Sequence, residues 1–404
     1  MSAYERFLKY VRINTESAEG TGTSPSTACQ WDLANVLLDE LKELGLEDVK
    51  VSEFGVITAY LPATPGCEDA PALGLLAHMD TAPAFSGNGV EPILHENYNG
   101  EDIVLPKEGR VLRVADFPVL TNLKGRTLIT ADGSTLLGAD DKAGIAEILT
   151  AAEILMTRRM THATLKIGFT PDEEIGRGAD KFDVQGFGAD YAYTADGGAI
   201  GEIEYENFNA AGAKVEFKGL NIHPGSAKDK MVNSQYIAME FQSLLPAAQK
   251  PEYTEGYEGF IHLTDMEGEV EKSVLRYIIR DHDMAKFEEK KSAMEVVADF
   301  INRKYGAGTC QLTIRDSYFN MKQHIEPVMY IIDRAKAAMK AVGMEPKEMP
   351  IRGGTDGARL SYMGLPCPNL CTGGENFHGR FEYIPVEDME QIVKLLVEIL
   401  TSVN

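Results

Sequence analysis

The stretch Thr170–Gly178, T-P-D-E-E-I-G-R-G, sets Glu173 and Glu174 side by side after an apolar run, Ala163–Phe169. Adjacent carboxylates repel, and keeping both ionised needs a positive centre beside them. The pair contains no lysine, and Arg177 alone is a weak partner. A metal ion is the stronger answer: one glutamate ligates it while the other stays free to carry a proton. Most such pairs, taken alone, are solvated acidic turns, so the argument rests on finding further ligands.

Four other stretches offer them. His78 and Asp80 follow the compact apolar run Pro71–Ala77. Two residues apart on an extended chain, they share a face. A metal-bound imidazole needs an acceptor for its other N–H, and Asp80 is placed to be one. The plainer alternative is a strand-end histidine beside a solvated acid. Asp140, followed by Asp141, opens a segment with an apolar stripe at Ile145, Ile148, Leu149, Ala152 and Leu155. The plainer reading there is an N-cap and a first-turn acid, although a carboxylate has two oxygens and can cap and ligate together. Asp196 precedes Gly197-Gly198 and His378 lies in the glycine-rich loop Gly373–Gly379. Either could be an ordinary turn or loop residue.

Summed, His78, Asp140, Glu174, Asp196 and His378 give two imidazoles and three carboxylates. Five protein ligands exceed one tetrahedral zinc, and two zincs need about eight contacts. One carboxylate and one water bridging both metals, each counted twice, bring five residues close to that total. The charges of two Zn²⁺ balance three carboxylates and a hydroxide. Glu173 is then left over beside a metal-held water, the position of a general base.

These residues need elements to hold them. Helices are expected at Ser2–Ile13 and at Cys29–Leu44, the second stopped by Gly45. Apolar strands at Pro71–Ala77, Leu165–Phe169 and Tyr191–Thr194 each lead to a candidate ligand, and open α/β sheets bind ligands beyond the carboxyl ends of their strands. Thr127–Thr130 and Thr135–Leu137 are expected as short strands around an Asp132-Gly133 turn. The pattern then changes. Ala213–Lys218, Asn233–Leu245, Gly259–Met266, Ser273–Asp281, Met284–Tyr305 and Cys310–Asp316 give the order β-α-β-β-α-β of a split ferredoxin-like unit. After it come a helix at Val328–Val342, a strand at Pro368–Cys371 and a terminal helix at Val386–Leu400. The expected fold class is α/β, with a mixed-sheet catalytic domain of residues 1–207 plus 320–404 and an inserted α+β domain at 208–319.

The chain has 404 residues, with 39 Lys and Arg against 62 Asp and Glu, a net charge of −23. That balance argues against nucleic acid or an anionic membrane as a partner and favours attraction of cations. The cysteines, Cys29, Cys67, Cys310, Cys367 and Cys371, are odd in number and lack framework spacing, which points to reduced thiols and a cytoplasmic location. Met1–Asn14 carries Glu5, Arg6, Lys9 and Arg12 among its apolar residues, unlike the unbroken apolar core of a signal peptide. No apolar run is long enough to span a bilayer.

The ligand-bearing stretches resemble the tripeptide aminopeptidases of the di-zinc aminoacylase/carboxypeptidase metallopeptidase superfamily. The likeness is densest in L-L-A-H-M-D-T (Leu75–Thr81), L-L-G-A-D-D-K-A-G (Leu136–Gly144), F-T-P-D-E-E (Phe169–Glu174), Y-T-A-D-G-G (Tyr193–Gly198), I-R-G-G-T-D-G (Ile351–Gly357) and G-L-P-C-P-N-L (Gly364–Leu370). The resemblance implies a zinc-exopeptidase-like catalytic domain and a ferredoxin-like lid that also forms a homodimer. It implies two Zn²⁺ per subunit, with Co²⁺ or Mn²⁺ as substitutes, held by His78, Asp140, Glu174, Asp196 and His378, with Asp140 bridging. It implies Glu173 as base and Asp80 as the partner of His78. His223, in N-I-H-P-G, would help bind the scissile carbonyl, and Arg280 would receive a substrate carboxylate. Arg352 would touch substrate or brace the lid. The implied reaction is removal of the N-terminal residue of a small peptide by a zinc-bridged hydroxide. Two rival readings remain: the same scaffold acting on another amide, as a deacylase or dipeptidase, and a non-catalytic metal-binding or dimerisation module.

Overall fold

The structure is a computed structural model and describes residues 1–107 and 109–402. In chain order its principal strands are β1 (Glu47–Val51), β2 (Ile57–Leu61), β3 (Leu73–His78), β4 (Leu165–Thr170), β5 (Tyr191–Gly197), β6 (Glu202–Glu204), β7 (Asn209–Lys218), β8 (Phe260–Gly268), β9 (Lys272–Asp281), β10 (Cys310–Tyr318), β11 (Lys347–Glu348) and β12 (Asn369–Cys371). The principal helices are α1 (Ala3–Tyr10), α2 (Gln30–Leu44), α3 (Ala139–Arg158), α4 (Ser234–Leu244), α5 (Met284–Tyr305), α6 (Tyr330–Ala341), α7 (Asp356–Tyr362) and α8 (Val386–Thr401). Two compact units result: Met1–Tyr205 with Met321–Met349 and Thr355–Asn404, and Glu206–Asn320 with Pro350–Gly354.

The first unit is built on a mixed eight-stranded sheet in the order β1-β2-β4-β3-β5-β12-β6-β11. Its centre, β4-β3-β5-β12, is parallel, so the carboxyl ends of these strands emerge together. β3 is buried at every position because both faces of the sheet are covered. On one side α3 packs against β3 and β5 and is itself covered by α1 and α8. A helix so enclosed buries residues around most of its circumference, as α3 does. On the other side Phe182, Phe187, Leu360 and Leu365 pack with Leu76 and Ala192. The close fit of α3 depends on Gly144: a Cβ there would stand 2.0 Å from the carbonyl oxygen of Ala195 in β5.

The hairpin expected across Asp132-Gly133 does not form. Leu128–Thr130 is a strand, but it pairs with Ile93–His95 and Tyr383–Pro385. Thr135, Leu136 and Leu137 are not strand residues; they are buried as the chain turns into α3. The helix expected from Val328 is preceded by a 3₁₀ turn, Glu326–Val328, and α6 starts at Tyr330.

The second unit has the order β-α-β-β-α-β and an antiparallel sheet β8-β9-β7-β10. α4 and α5 bury Ile237, Phe241, Phe287, Met294 and Ile301 against Val215, Phe217, Leu275 and Ile279. Asp283 caps α5 by accepting from the Lys286 N–H. Residues 350–354, expected with the catalytic domain, cluster with this unit. Arg352 explains why: its guanidinium donates to the carbonyls of Gly256 (2.6 Å) and Glu258 (3.0 Å) and lies over the Phe208 ring. Among the described residues, no helix is long and apolar enough to cross a membrane.

Candidate metal centre

Parallel register sets the site. His78 ends β3 opposite Thr170, the end of β4, and Leu76 lies opposite Thr194 of β5. The three strands therefore deliver His78, the Thr170–Glu174 turn and Asp196 at one edge of the sheet. Asp140 and Asp141 open α3 with non-helical dihedral angles. Asp141, not Asp140, does the capping: its Oδ1 accepts from the Gly144 N–H (3.2 Å) and its Oδ2 from the His78 N–H (3.1 Å). Both oxygens of Asp140 are thereby left for imidazoles. Oδ1 lies 2.9 Å from His78 Nε2 and Oδ2 lies 3.0 Å from His378 Nε2.

The other carboxylates close the ring. His78 Nε2 is also 3.3 Å from Asp196 Oδ1, and His378 Nε2 is 2.9 Å from Glu174 Oε2. Glu173 lines a small pocket with His78, Asp196, Thr170 and Asp356. Thus His78, Asp140, Glu174, Asp196 and His378, spread across the sequence, meet in one place with Glu173 alongside. His223, Arg280 and Arg352 belong to the second unit. His223 is exposed, and its Nδ1 accepts from the Gly225 N–H. Arg280 Nη1 donates to the carbonyls of Ala211 and Ile279. Arg352 spends its donors on the carbonyls already described.

Asp80 does more than expected. His78 Nδ1 is 3.0 Å from the Asp80 backbone carbonyl and 3.5 Å from its carboxylate, so the backbone is the nearer acceptor. The wholly buried carboxylate of Asp80 instead accepts the N–H groups of Glu173 (2.9 Å) and Glu174 (3.2 Å). One residue therefore sets both the histidine and the glutamate turn. Three further acids carry no sequence signal. Asp172, in left-handed conformation (φ 60°), accepts from the Ser26 N–H and from Gln30 Nε2 (2.8 Å), fixing the turn from below. Glu382 accepts from the N–H groups of Leu137 (2.7 Å), Gly138 (2.9 Å) and Asp140 (3.2 Å). Asp356 accepts from the Ala179 N–H (2.9 Å), and its other oxygen is buried without a partner.

The electrostatics follow from this crowding. Burial pushes the Glu173 carboxyl well above its usual range, and Asp196, Asp356 and Glu174 add to it. Burial and the Asp140 charge push Glu174 up to about 7, against the pull of His378. Hydrogen bonds that the imidazolium donates to Asp140 and Glu174 push His378 up to about 11. Burial lowers His78, but Asp196, Asp140 and Asp80 outweigh it and hold it well above the ordinary range. Asp140 moves the other way: burial raises it, but His378 and His78 hold it well below the usual carboxylate range.

Such a donor set fits divalent cations. Asp140, Asp141, Glu173, Glu174, Asp196 and Asp356 are packed around two imidazoles, and Glu174 Oε1 is buried without a hydrogen-bond partner. Among the described residues, two groups have donor atoms within 4.8 Å of one another: His78 with Asp141 and Asp196, and His78 with Asp140 and Glu174. Asp140 is the better donor in either group, because both oxygens of Asp141 already accept N–H groups. A metal would relieve the repulsion that raises these carboxyls.

A mixed sheet that gathers imidazoles and carboxylates at its strand ends, in a chain with a ferredoxin-like insertion, is the architecture of a metallopeptidase. The chain belongs to peptidase family M20/M25/M40, whose model matches residues 132–402. It is 57% identical over 399 residues to the Peptidase T of Alkaliphilus oremlandii, an alignment covering 98% of each chain. Among solved structures, a tripeptidase from Staphylococcus aureus superposes with a TM-score of 0.79 at 22% identity, covering 99% of this chain and 97% of that one. A dinuclear metal-binding peptidase of the M20 family from Bacillus subtilis gives a TM-score of 0.65 at 15% identity, covering 99% and 98%. These likenesses support the shared fold.

Proposed function

We propose that the chain is a metal-dependent aminopeptidase that removes the N-terminal residue of tripeptides, with His78, Asp140, Glu174, Asp196 and His378 holding two Zn²⁺ and Glu173 as general base. The observation that carries this reading is the placement of Asp140, whose two oxygens serve different histidines while Glu173 stands beside them without a place in the ring. The name Peptidase T on a relative at 57% identity supports the substrate class, and the dinuclear neighbour supports the metal count. When bound, the metals would lower the pKa of water and polarise the scissile carbonyl.

The residues supply the rest. Glu173, a carboxylate made more basic by burial and its neighbours, accepts a proton from the attacking water and returns it to the leaving amine. Asp80 keeps Glu173 in place through the backbone. Asp141 caps α3 and leaves Asp140 free. Glu382 holds the backbone that carries Asp140. In the second unit, His223 is assigned to the scissile carbonyl and Arg280 to the substrate C-terminal carboxylate, a bidentate pairing that would limit peptide length. The bracing role suits Arg352 better than substrate contact. The second unit is assigned as the lid and dimer contact.

The test is hydrolysis of a tripeptide, blocked by a chelator and restored by Zn²⁺. Glu173→Ala should keep metal content while turnover falls by roughly 10²-fold or more. Metal loss in that variant would show that the wrong glutamate carries the proton, and an inert wild-type protein would reject the activity itself.

A further inference from the structure

We propose that Glu204 receives the α-ammonium group of the substrate; the assignment rests on the aminopeptidase reading above. Strand β6 runs antiparallel to β12, with Glu204 opposite Asn369, and Asn369 lies opposite Thr194 of β5. Residues directly opposed in a sheet point to the same face. The Thr194 hydroxyl donates to Asn369 Oδ1, which confirms the shared face for that pair. A bulge at Asp196 interrupts the alternation along β5, but Thr194 and Asp196 line the same small pocket, and Thr355 Oγ1 reaches both Asp196 and Asn369, so Asp196 is on this face too. Glu204 therefore lies on the face that carries Asp196, two strands away, about 10 Å at the backbone.

Polar groups fill the interval. Thr355 Oγ1 lies 3.4 Å from Asp196 Oδ2 and 3.2 Å from Asn369 Oδ1. Asn369 in turn stands directly opposite Glu204 in the sheet, and its amide favours the ionised form of that carboxyl. The row runs Asp196, Thr355, Asn369, Glu204 and ends in a carboxylate. A glutamate side chain and an α-nitrogen two bonds from the scissile carbon can together span the gap.

Charge points the same way. Glu202, two residues back on the same face of β6, adds a second carboxylate. Burial, Glu202 and Asp196 push Glu204 up to about 8, and only the Asn369 amide pulls it down. Among the described residues no salt bridge engages Glu204. Of the remaining acids near the metal centre, Asp80 is committed to the Glu173 and Glu174 N–H groups and Asp141 to its cap, Asp356 keeps one oxygen on the Ala179 N–H and the other inside the small pocket beside Glu173, and the rest serve metal or proton transfer. A carboxylate set among like charges gains most from a cation, and an unblocked peptide brings one at its N-terminus.

The experiment compares Glu204→Gln with wild type, using Ala-Gly-Gly as substrate and propionyl-Gly-Gly, which lacks only the amine, as competitive inhibitor. The expected result is a KM for Ala-Gly-Gly raised roughly 10- to 100-fold with kcat little changed, while the inhibition constant of the des-amino analogue stays at the wild-type value. Zinc content and Tm equal to wild type would show that the fold is intact. An unchanged KM in an enzyme that cleaves Ala-Gly-Gly overturns the assignment and leaves the aminopeptidase reading standing. Failure of the wild-type enzyme to cleave Ala-Gly-Gly overturns both. If Glu204→Gln does not fold, Glu204→Asp decides: a weakened substrate with an unaffected analogue supports the role, and equal weakening of both refutes it.

Discussion

Gly144→Ala separates helix propensity from packing. In an ordinary helix interior the change is favourable by about 1 kcal/mol, because alanine loses less backbone entropy. Here the new Cβ would stand 2.0 Å from the Ala195 carbonyl oxygen and 2.5 Å from Asp141 Oδ1. An ordinary carbon–oxygen contact is more than an ångström longer, and the nearer obstacle is backbone, which no rotamer change can relieve. α3 must therefore move away from β5, costing about 2–3 kcal/mol, the upper part of the overpacking range, because the obstacle is backbone. The propensity gain offsets about 1 kcal/mol of this, leaving a net loss of about 1–2 kcal/mol, or a Tm lower by roughly 1–2 °C in a chain of 404 residues. The functional cost should be larger than the thermal one. Ala195 adjoins Asp196, and the start of α3 carries Asp140, so the shift separates two proposed donors. A misplacement of about 1 Å can cost around 10²-fold in rate. Calorimetry, chelator-competition measurement of zinc affinity and tripeptide hydrolysis would be run together. A variant at least as stable as wild type, with unaltered zinc affinity, would refute the claim that this approach sets the site.

Other substitutions probe the surrounding acids. Asp172→Ala should lower stability by about 2–4 kcal/mol, since it strands the buried Ser26 N–H and Gln30 amide, and Asp172→Asn should recover part of the loss; urea denaturation reads both. Asp80→Ala should weaken zinc binding roughly 10- to 100-fold, and a spared zinc affinity would mean the backbone carbonyl alone orients His78. Glu147 is wholly buried in α3 and both its oxygens lack partners, so burial, with Asp388 adding to it, raises its pKa well above the usual range. A raised folded-state pKa means its contribution to stability is fully present below the unfolded value and lost as pH rises through the folded one. The Tm advantage of Glu147→Gln over wild type should therefore grow from about pH 5 towards pH 8, and a flat difference would contradict this. His378 has a raised pKa, so in metal-free protein its contribution should likewise fade as pH climbs from the ordinary histidine range towards about 11, with His378→Gln as the reference in thermal scans.

What was legible in the sequence depended on how locally each feature is encoded. His78, Glu174 and Asp196 each follow an apolar run, and a strand that empties into an acid or a histidine is visible without knowing its neighbours. The second unit was readable element by element because its strands and helices are regular and close in sequence. The hairpin at Asp132-Gly133 failed for the opposite reason: Leu128–Thr130 finds its partners at Ile93–His95 and Tyr383–Pro385, and no local pattern reports a partner so distant. Glu382, Asp356 and Asp172 went unnoticed because a single acid that binds backbone N–H groups looks like any surface acid. Asp140 and Asp141 are adjacent in sequence, and which of them caps is settled by the Gly144 N–H, which donates to Asp141 Oδ1. Residues 350–354 cluster with the second unit through Arg352, and the partners that hold it, the carbonyls of Gly256 and Glu258, have no side-chain signature.

The short strand Asn369–Cys371 is wedged between Tyr191–Gly197 and Glu202–Glu204, although the whole second unit intervenes in sequence. During synthesis the two flanking strands emerge long before the piece that joins them. Until the ribosome has nearly finished, each presents an unpaired edge, the kind of surface on which other chains stack. Messages truncated ahead of residue 369 should thus yield insoluble fragments, and the intervening unit, nearly continuous in sequence, is free to mature while its host waits.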